Sequence, residues 1–417
     1  MLKLIPSQSG NETNIKLPFL FIFLSMVSLM ASQILLLFQG DFLLNGQFRV
    51  PGIWSAAHLF ILGWALMIAM GAMYQLVPVA FLTPIWNEKF GFIQFGVTAI
   101  GTFSFAHFLF HDPQHALIPG IITLIGILMF VFQMGMTLRK QAKPNILTLY
   151  VGTALISLFL TIVLGITMLY SMKTGAAADH YLAIFKSHLM LGTTGWFTML
   201  IFGFSYKMVP MFSLSHGYSM KPANFVYPFY AGGLIVAIVS FFIKSQGALT
   251  IGLLLQLIGF GIFIYHISLI LKKRVKKKLD RSFSFALIAI LSGGLIHLAA
   301  FITALFGVFQ SAVGPLMLLY LFLWIAFSII GYLYKIVPFL WWTAKYSKEI
   351  GKKEVPALKD MVNDRNATPV FVCLVLGILG VAVAIIIGSH ALFIPSQLLF
   401  TLACFMFCFA IAKVVTK

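Results

Sequence analysis

The sequence predicts an all-α polytopic membrane protein whose twelve transmembrane helices form three pseudo-threefold units of four. Composition is the first reason, because 61% of the 417 residues are hydrophobic and only 9% are charged, whereas soluble domains carry about 25% charged residues. The second reason is a series of twelve apolar stretches with at most two charged residues each, each long enough to cross roughly 30 Å of hydrocarbon as a helix. The third is a helical phrase that occurs three times along the chain.

The twelve predicted spans form a single membrane domain at residues 17–413. A cytoplasmic N-terminal tail at 1–16 precedes them, and a basic cytoplasmic loop at 341–368 separates the tenth span from the eleventh. The spans are residues 17–38, 54–80, 91–110, 116–137, 145–170, 182–212, 225–243, 248–271, 282–308, 312–340, 369–388 and 392–413.

The net charge of +18 lies almost entirely on one side of this arrangement. If the N-terminus is cytoplasmic, the outer loops hold only four of the 28 Lys and Arg residues: Arg49, Lys173, Lys186 and Lys244. Positive residues concentrate on the cytoplasmic side of membrane proteins, so we expect both termini to be cytoplasmic. The basic loops then face anionic lipid headgroups, and nucleic acid is not an expected partner.

The repeated phrase has the pattern W-x6-G-x2-Y-[QK]-x-V-P. In each copy we expect the glycine to allow close helix packing, the tyrosine to lie at the inner interface and the proline to end the helix. The prolines are 132 and 128 residues apart (210 − 78 and 338 − 210), which is the length of four spans, so the repeat units are about 17–137, 145–271 and 282–413. The three copies are WALMIAMGAMYQLVP (64–78), WFTMLIFGFSYKMVP (196–210) and WIAFSIIGYLYKIVP (324–338).

Two histidines occupy equivalent positions in these repeated helices. His58 lies 20 residues before Pro78 and His188 lies 22 residues before Pro210 (78 − 58 and 210 − 188), about 30 Å along a helix. Both imidazoles are therefore expected near the outer helix ends, where a neutral imidazole suits a heme or metal ligand. A hydrogen bond between helices is the alternative role for each.

A second histidine group lies at the outer end of the third span. His107, His111 and His115 recur every four residues, so the first two share a helix face, while Pro113 breaks the helix before the third. His107 and His111 are candidate copper ligands, and an ordinary solvated loop is the alternative.

The acidic residues are informative by their positions. All ten fall in predicted tails, loops or helix ends. Pumps and proton-coupled carriers place carboxylates inside the membrane as proton relays, and no such carboxylate is available here. Proton pumping is therefore not expected.

These features resemble the catalytic subunit I of the heme-copper oxidases, a superfamily that includes the nitric oxide reductases. The stretch FRVPGIWSAAH (48–58), with Arg49 nine residues before His58, is similar to the start of helix 2 in the nitric oxide reductase branch. The segment 188–210 and the third copy of the phrase resemble that superfamily's helices 6 and 10. Repeat length and histidine placement are also similar to those of the NnrS-type group, heme-containing membrane proteins linked to nitric oxide tolerance.

The resemblance implies ligand roles for the two repeated histidines. His58 corresponds to an axial ligand of the low-spin heme, and His188 to a copper ligand beside the high-spin heme. The family's two helix-10 histidines are replaced here by Leu316 and Leu318, and its adjacent copper-binding histidines on helix 7 have no counterpart. We therefore expect a degenerate member that lacks a standard binuclear centre.

The resemblance implies a protein of the bacterial plasma membrane that retains redox or diatomic-gas chemistry, with oxygen or nitric oxide, at the outer side. Met317 and His297 are then candidate second ligands of a heme bound by His58. If the protein is an enzyme, it is an oxidoreductase supplied by a quinol or cytochrome donor, and other oxidase-type subunits are candidate partners. Two further interpretations remain open: a twelve-helix solute transporter, and a non-catalytic scaffold or assembly protein that kept the oxidase fold.

Overall fold

A computed structural model describes residues 13–417 of the chain. Within these residues twelve helices are long and apolar enough to cross a membrane, which confirms the predicted fold class. Residues 1–12 of the predicted tail lie outside the described residues. The helices are α1 (Lys16–Leu37), α2 (Pro51–Phe81), α3 (Glu88–His111), α4 (Leu117–Leu138), α5 (Ile146–Thr174), α6 (Ala178–Ser213), α7 (Ala223–Phe242), α8 (Gln246–Lys272), α9 (Arg281–Leu305), α10 (Phe309–Glu349), α11 (Arg365–Ile387) and α12 (His390–Thr416).

Because consecutive helices run in opposite directions, the bundle has two distinct faces. The start of α1 and the end of α12 lie on one side, which we call the terminal face. The opposite side, where α2, α6 and α10 begin, is the histidine face. Each of these three helices therefore runs from the histidine face to the terminal face.

The repeated prolines do not end their helices, so that prediction was wrong. Pro78 lies inside α2, which continues to Phe81, and α6 and α10 likewise pass their prolines. Proline lacks an N–H and leaves the carbonyl four residues earlier unpaired. For Pro78 that carbonyl belongs to Tyr74, and it accepts a 2.8 Å hydrogen bond from Thr13 Oγ1 instead. A hydrogen bond from outside the helix thus satisfies the carbonyl group that the internal proline leaves unpaired.

Because α10 continues past Pro338, the start of the predicted loop at 341–368 was also wrong. Helical structure in α10 continues to Glu349, so the connection to α11 begins about nine residues later than the sequence suggested (349 − 340). Trp341 and Trp342, which open the predicted loop, are helical.

The glycine of each phrase lies against a neighbouring helix, as predicted. A Cβ added to any of the three would come within 3.0 Å of an atom on the helix that precedes it in the chain, closer than real Cβ atoms approach. The absence of a side chain therefore allows these helix pairs to pack closely. The nearest atoms are the Cβ of Phe21 in α1 for Gly71 (2.8 Å), of Tyr150 in α5 for Gly203 (3.0 Å) and of Ala286 in α9 for Gly331 (2.8 Å).

The tyrosines of the phrase were expected at the membrane interface, and this expectation was wrong. Tyr74, Tyr206 and Tyr334 are all buried inside the bundle. Tyr74 donates a 3.0 Å hydrogen bond to Gln94 Oε1 on α3. The side chain of Gln94 on α3 thus gives the buried hydroxyl of Tyr74 a partner. The sequence of α2 alone does not indicate this partner.

Each repeated helix also contains a stretch of π-helix, which the sequence did not reveal. All three stretches end 12 residues before the proline (78 − 66, 210 − 198 and 338 − 326). Such wider turns are rare and occur frequently at functional sites. They are Leu59–Leu66 in α2, Leu191–Thr198 in α6 and Tyr320–Ala326 in α10.

An ion cluster joins α9 and α10 at the terminal face. Asp280, just before α9, pairs with Lys276 at 2.8 Å and also with Lys335 of the third phrase. Burial by itself would raise the pKa of Asp280, but the hydrogen bonds and charges of the two lysines outweigh burial and hold that pKa below its ordinary value. A carboxyl group whose pKa is lower in the folded state contributes stability above its unfolded pKa and loses it as the pH falls through its folded pKa.

We therefore expect Asp280→Asn to lower the free energy of unfolding by about 1 kcal/mol at pH 7. The difference from wild type should shrink below about pH 4, the ordinary pKa range of aspartate, because Asp280 is then protonated in the unfolded chain, and in the folded protein as the pH falls further. Thermal unfolding in detergent between pH 3 and 7 measures this. Asp41→Asn, at a side chain that is 86% exposed, is the control. An Asp280→Asn effect of equal size at pH 3 and pH 7 would contradict the assignment.

Candidate functional site

The three π-helical stretches meet in the middle of the bundle. The ring centroids of Phe60 in α2 and Phe322 in α10 are 4.7 Å apart. The indole Nε1–H of Trp324 in α10 donates a 2.9 Å hydrogen bond to Thr198 Oγ1 in α6. These contacts fix α2, α6 and α10 relative to one another. The side chains that these helices carry between the contacts and the histidine face therefore have fixed relative positions.

His58 lies at the last residue before the π-helical stretch of α2. Its ring Nδ1 is 2.7 Å from the carbonyl oxygen of Trp54, one turn earlier in the helix. A carbonyl can only accept, so Nδ1 carries the proton and Nε2 keeps its lone pair. Phe105 of α3 packs against the imidazole, with ring centroids 5.1 Å apart. The ring is therefore held in one orientation and one tautomer.

His188 is held in the same way, but by a neighbouring helix. Its Nδ1 donates to the carbonyl oxygen of Thr161 in α5 at 2.8 Å. Gly165 stands one turn after Thr161, and a Cβ there would lie only 3.2 Å from Cε1 of His188. The missing side chain at Gly165 thus leaves room for the imidazole to reach a carbonyl that is already part of a helix.

The structure brings His58 and His188 together. Their imidazoles interact electrostatically across α2 and α6, and both side chains remain partly accessible although they lie within membrane-spanning helices. Within residues 13–417 no hydrogen bond reaches the Nε2 of either ring. Histidines that bind a metal usually donate their other ring N–H to a carbonyl or carboxylate, which fixes the tautomer and raises ligand basicity. Both histidines fit that description.

His297 differs because both of its ring nitrogens have partners. Nδ1 is 2.7 Å from the carbonyl oxygen of Gly293, and Nε2 is 3.1 Å from the hydroxyl of Tyr230 in α7. The side chain is buried, with 4% of its surface exposed. A ligand role for His297 would require the bond to Tyr230 to break, so the structure supports this candidate less well than His58 and His188.

The bond from His297 is part of a buried polar network that sequence reasoning missed. The hydroxyls of Tyr230 and Tyr320 are 3.2 Å apart, and Tyr320 Oη lies 2.6 Å from Thr198 Oγ1, which also accepts from Trp324. The network joins α6, α7, α9 and α10. Its signal in the sequence was the presence of tyrosine, threonine and histidine inside otherwise apolar spans, where polar groups require partners.

Met317 lies in the part of α10 nearest the histidine face. The neighbouring Leu316 and Leu318 pack against the central core, whereas Met317 is partly buried and does not belong to that core. Between Phe309 and Leu319 no residue is fully buried, so this part of α10 is packed loosely. No described contact brings Met317 towards His58, and its role as a second ligand stays a prediction.

The histidines at the end of α3 form an exposed pair. The ring centroids of His107 and His111 are 4.7 Å apart, and both side chains are exposed. His115 is bound separately, with its Nδ1 2.6 Å from a carboxylate oxygen of Asp112. In the described part of the chain, no three His, Cys, Asp or Glu side chains are grouped closely enough to hold a metal ion. Copper at His107 and His111, or at His188, therefore stays a prediction.

Comparison with known proteins adds no family to this description. No protein-family model and no curated protein matches the sequence. The fold itself defines the class: a helical, multi-pass membrane protein, with one histidine of α2 and one of α6 close enough to interact electrostatically.

The buried network yields a stability prediction. Thr198→Val keeps the size of the side chain but leaves Trp324 Nε1 and the Tyr320 hydroxyl without their shared partner. Because an unsatisfied buried polar group costs about 1–3 kcal/mol, we expect the free energy of unfolding to fall by that amount. Denaturant unfolding in detergent, followed by tryptophan fluorescence, measures it.

Thr193→Val is the matched control, because Thr193 lies on the same helix and its hydroxyl donates only to the carbonyl of Leu189 on that helix. Equal losses in the two variants would show that the network contributes nothing beyond an ordinary threonine bond.

Proposed function

We propose that this protein is a membrane hemoprotein of the heme-copper oxidase subunit I type, with redox or diatomic-gas chemistry at the histidine face. One observation carries the proposal: His58 and His188 lie near each other. Each donates a hydrogen bond from its Nδ1–H to a backbone carbonyl, and the Nε2 of each has no hydrogen bond. In this proposal His58 is an axial ligand of a heme. His188 binds either the same iron or a copper ion next to it.

The donor set fits such a group. Imidazole nitrogen is a common ligand of heme iron and of copper, and each of the two rings has an Nε2 that accepts no hydrogen bond from the described residues. When bound, a heme supplies one-electron transfer and a coordination position for a small gas molecule. The protein holds the two imidazoles in place through Trp54 and Thr161, and it packs Phe105 against the ring of His58.

The repeated architecture also supports the superfamily assignment. In each proposed unit of four helices, the phrase glycine packs on the first helix and a π-helical stretch ends 12 residues before the proline (78 − 66, 210 − 198 and 338 − 326). We infer from these correspondences that the twelve helices are three related units, at about 17–137, 145–271 and 282–413. A three-unit frame is the arrangement that the resemblance implies, whereas solute carriers usually divide into two inverted halves.

The remaining parts of the proposal concern orientation and partners. The basic residues concentrate at the terminal face, so by the positive-inside rule we propose that this face is cytoplasmic. The bacterial plasma membrane follows from the resemblance to the oxidase superfamily. The chemistry then occurs on the outer side, on oxygen or nitric oxide. Electrons come from a quinol or a cytochrome partner, and other oxidase-type subunits are candidate partners.

A visible spectrum and a pyridine hemochrome assay on purified protein, from cells supplied with heme, test the proposal. We expect heme near one per chain in the wild type and loss of most of it in His58→Ala. His390→Ala, which removes an exposed histidine on the same face, should retain the heme. A folded wild-type preparation without heme would overturn the proposal and favour a transporter or a scaffold.

Gly165→Val tests the position of His188 while keeping its imidazole. A valine side chain at 165 would collide with the ring, so we expect a shifted Soret band, or a loss of bound copper measured by elemental analysis. Gly152→Val is the matched control on the same helix, because a Cβ at Gly152 meets no atom within 4 Å. Identical spectra and metal contents in both variants would exclude His188 from the site.

A further inference from the structure

A second site lies on the histidine face, and neither His58 nor His188 lines it. The start of α6, the connection between α7 and α8 and the start of α10 enclose a cleft of about 350 Å³, a size that is ordinary for small-ligand sites. We call it the lysine cleft, because Lys186 and Lys244 both line it.

The lysine cleft concentrates positive charge where the chain otherwise has little. Of the four Lys and Arg residues in the predicted outer segments, two line this one cleft. Neither Lys186 nor Lys244 forms an ion pair with any residue in the described range 13–417. Lys186 is partly buried, with its ammonium 5.8 Å from the centroid of the Phe241 ring. Partial burial of an ammonium without an anion is costly, and a bound anion would offset that cost.

Lys244 occupies a backbone position that glycine would also accept. Lys244 follows the end of α7 with φ at 53°, a left-handed conformation, and the next residue, Ser245, donates its N–H back to the carbonyl of Ser240 at 3.1 Å. Glycine is the usual residue at this position, because other side chains are strained there by about 1 kcal/mol. Leu82 and Leu214 follow the ends of α2 and α6 in the same conformation, so this backbone is a feature of helix ends in this fold.

The walls of the cleft are apolar as well as polar. Leu182 and Phe242 line the cleft, and 53% and 44% of their surfaces are exposed. The single carboxylate in the lining, Asp179, leaves the two lysines in excess. The cleft therefore presents two ammonium groups that bind an anion. It also presents apolar surface that contacts the apolar part of an anionic molecule.

We propose that the lysine cleft binds a phosphate group through Lys186 and Lys244. The phosphate belongs either to the headgroup of an anionic phospholipid or to a free phosphate ion, since both present the same oxygens to the two ammonium groups. This site is separate from the proposed heme site and does not depend on that proposal.

The test uses the full chain in nanodiscs of phosphatidylcholine, with and without phosphatidylglycerol, and in neutral detergent with inorganic phosphate. Native mass spectrometry counts retained lipid, and a thermal shift titration gives the apparent affinity in each arm. We expect saturable binding in at least one arm, weakened about tenfold by Lys186→Gln. Binding in the phosphatidylglycerol arm alone identifies the lipid headgroup, and binding in the phosphate arm identifies a free anion.

Lys244→Gly separates a binding role from a structural one. Glycine relieves the left-handed strain, so this variant should unfold at a temperature equal to or higher than that of the wild type, while its affinity for the phosphate group falls about tenfold. Lys173→Gln, at an exposed lysine on the same face, should keep wild-type affinity. No saturable binding in either arm, or equal affinity in the wild type and a Lys186→Gln/Lys244→Gly double variant, would overturn the proposal.

Discussion

The structure depends on a rule of the membrane interior: a polar group there must find its partner within the protein, because the hydrocarbon offers none. The three histidines of α2, α6 and α9 follow this rule to different extents. His297 has a partner for each ring nitrogen, the carbonyl of Gly293 and the hydroxyl of Tyr230. His58 and His188 each have one partner and one free nitrogen. The difference separates a histidine with both nitrogens occupied from two histidines that each keep one nitrogen for a ligand.

Small residues create the conditions for these contacts. Gly71, Gly203 and Gly331 bring the repeated helices close to α1, α5 and α9, and Gly165 leaves the space in which His188 reaches Thr161. The π-helical stretches begin next to His58 and three residues after His188. Wider turns displace the residues that precede them relative to an ordinary helix. Helix packing and helix geometry therefore set the positions of the two imidazoles together.

The sequence predicted the twelve helices well, because the length and apolarity of a membrane span are local properties that hydrocarbon thickness imposes. It also identified His58 and His188 as a pair, because the repeated phrase placed them at equivalent depths. It failed at Pro78, where the compensating hydrogen bond comes from Thr13 on another segment, and at Tyr74, whose partner Gln94 lies on α3. The π-helical stretches and the network through Thr198 and Tyr320 were not predicted. Rotation of one helix relative to another decides such contacts, and spacing within a single helix carries no information about it.

The central claim is that the free nitrogens of His58 and His188 face a bound heme. A cryo-EM map of the purified protein, prepared from cells supplied with heme, tests this most directly. We predict planar density at the histidine face that is joined to Nε2 of His58, with Nε2 of His188 directed towards the same density or towards a metal next to it. A map in which these helices are well resolved, but the two nitrogens contact only water, lipid or protein, would contradict the account.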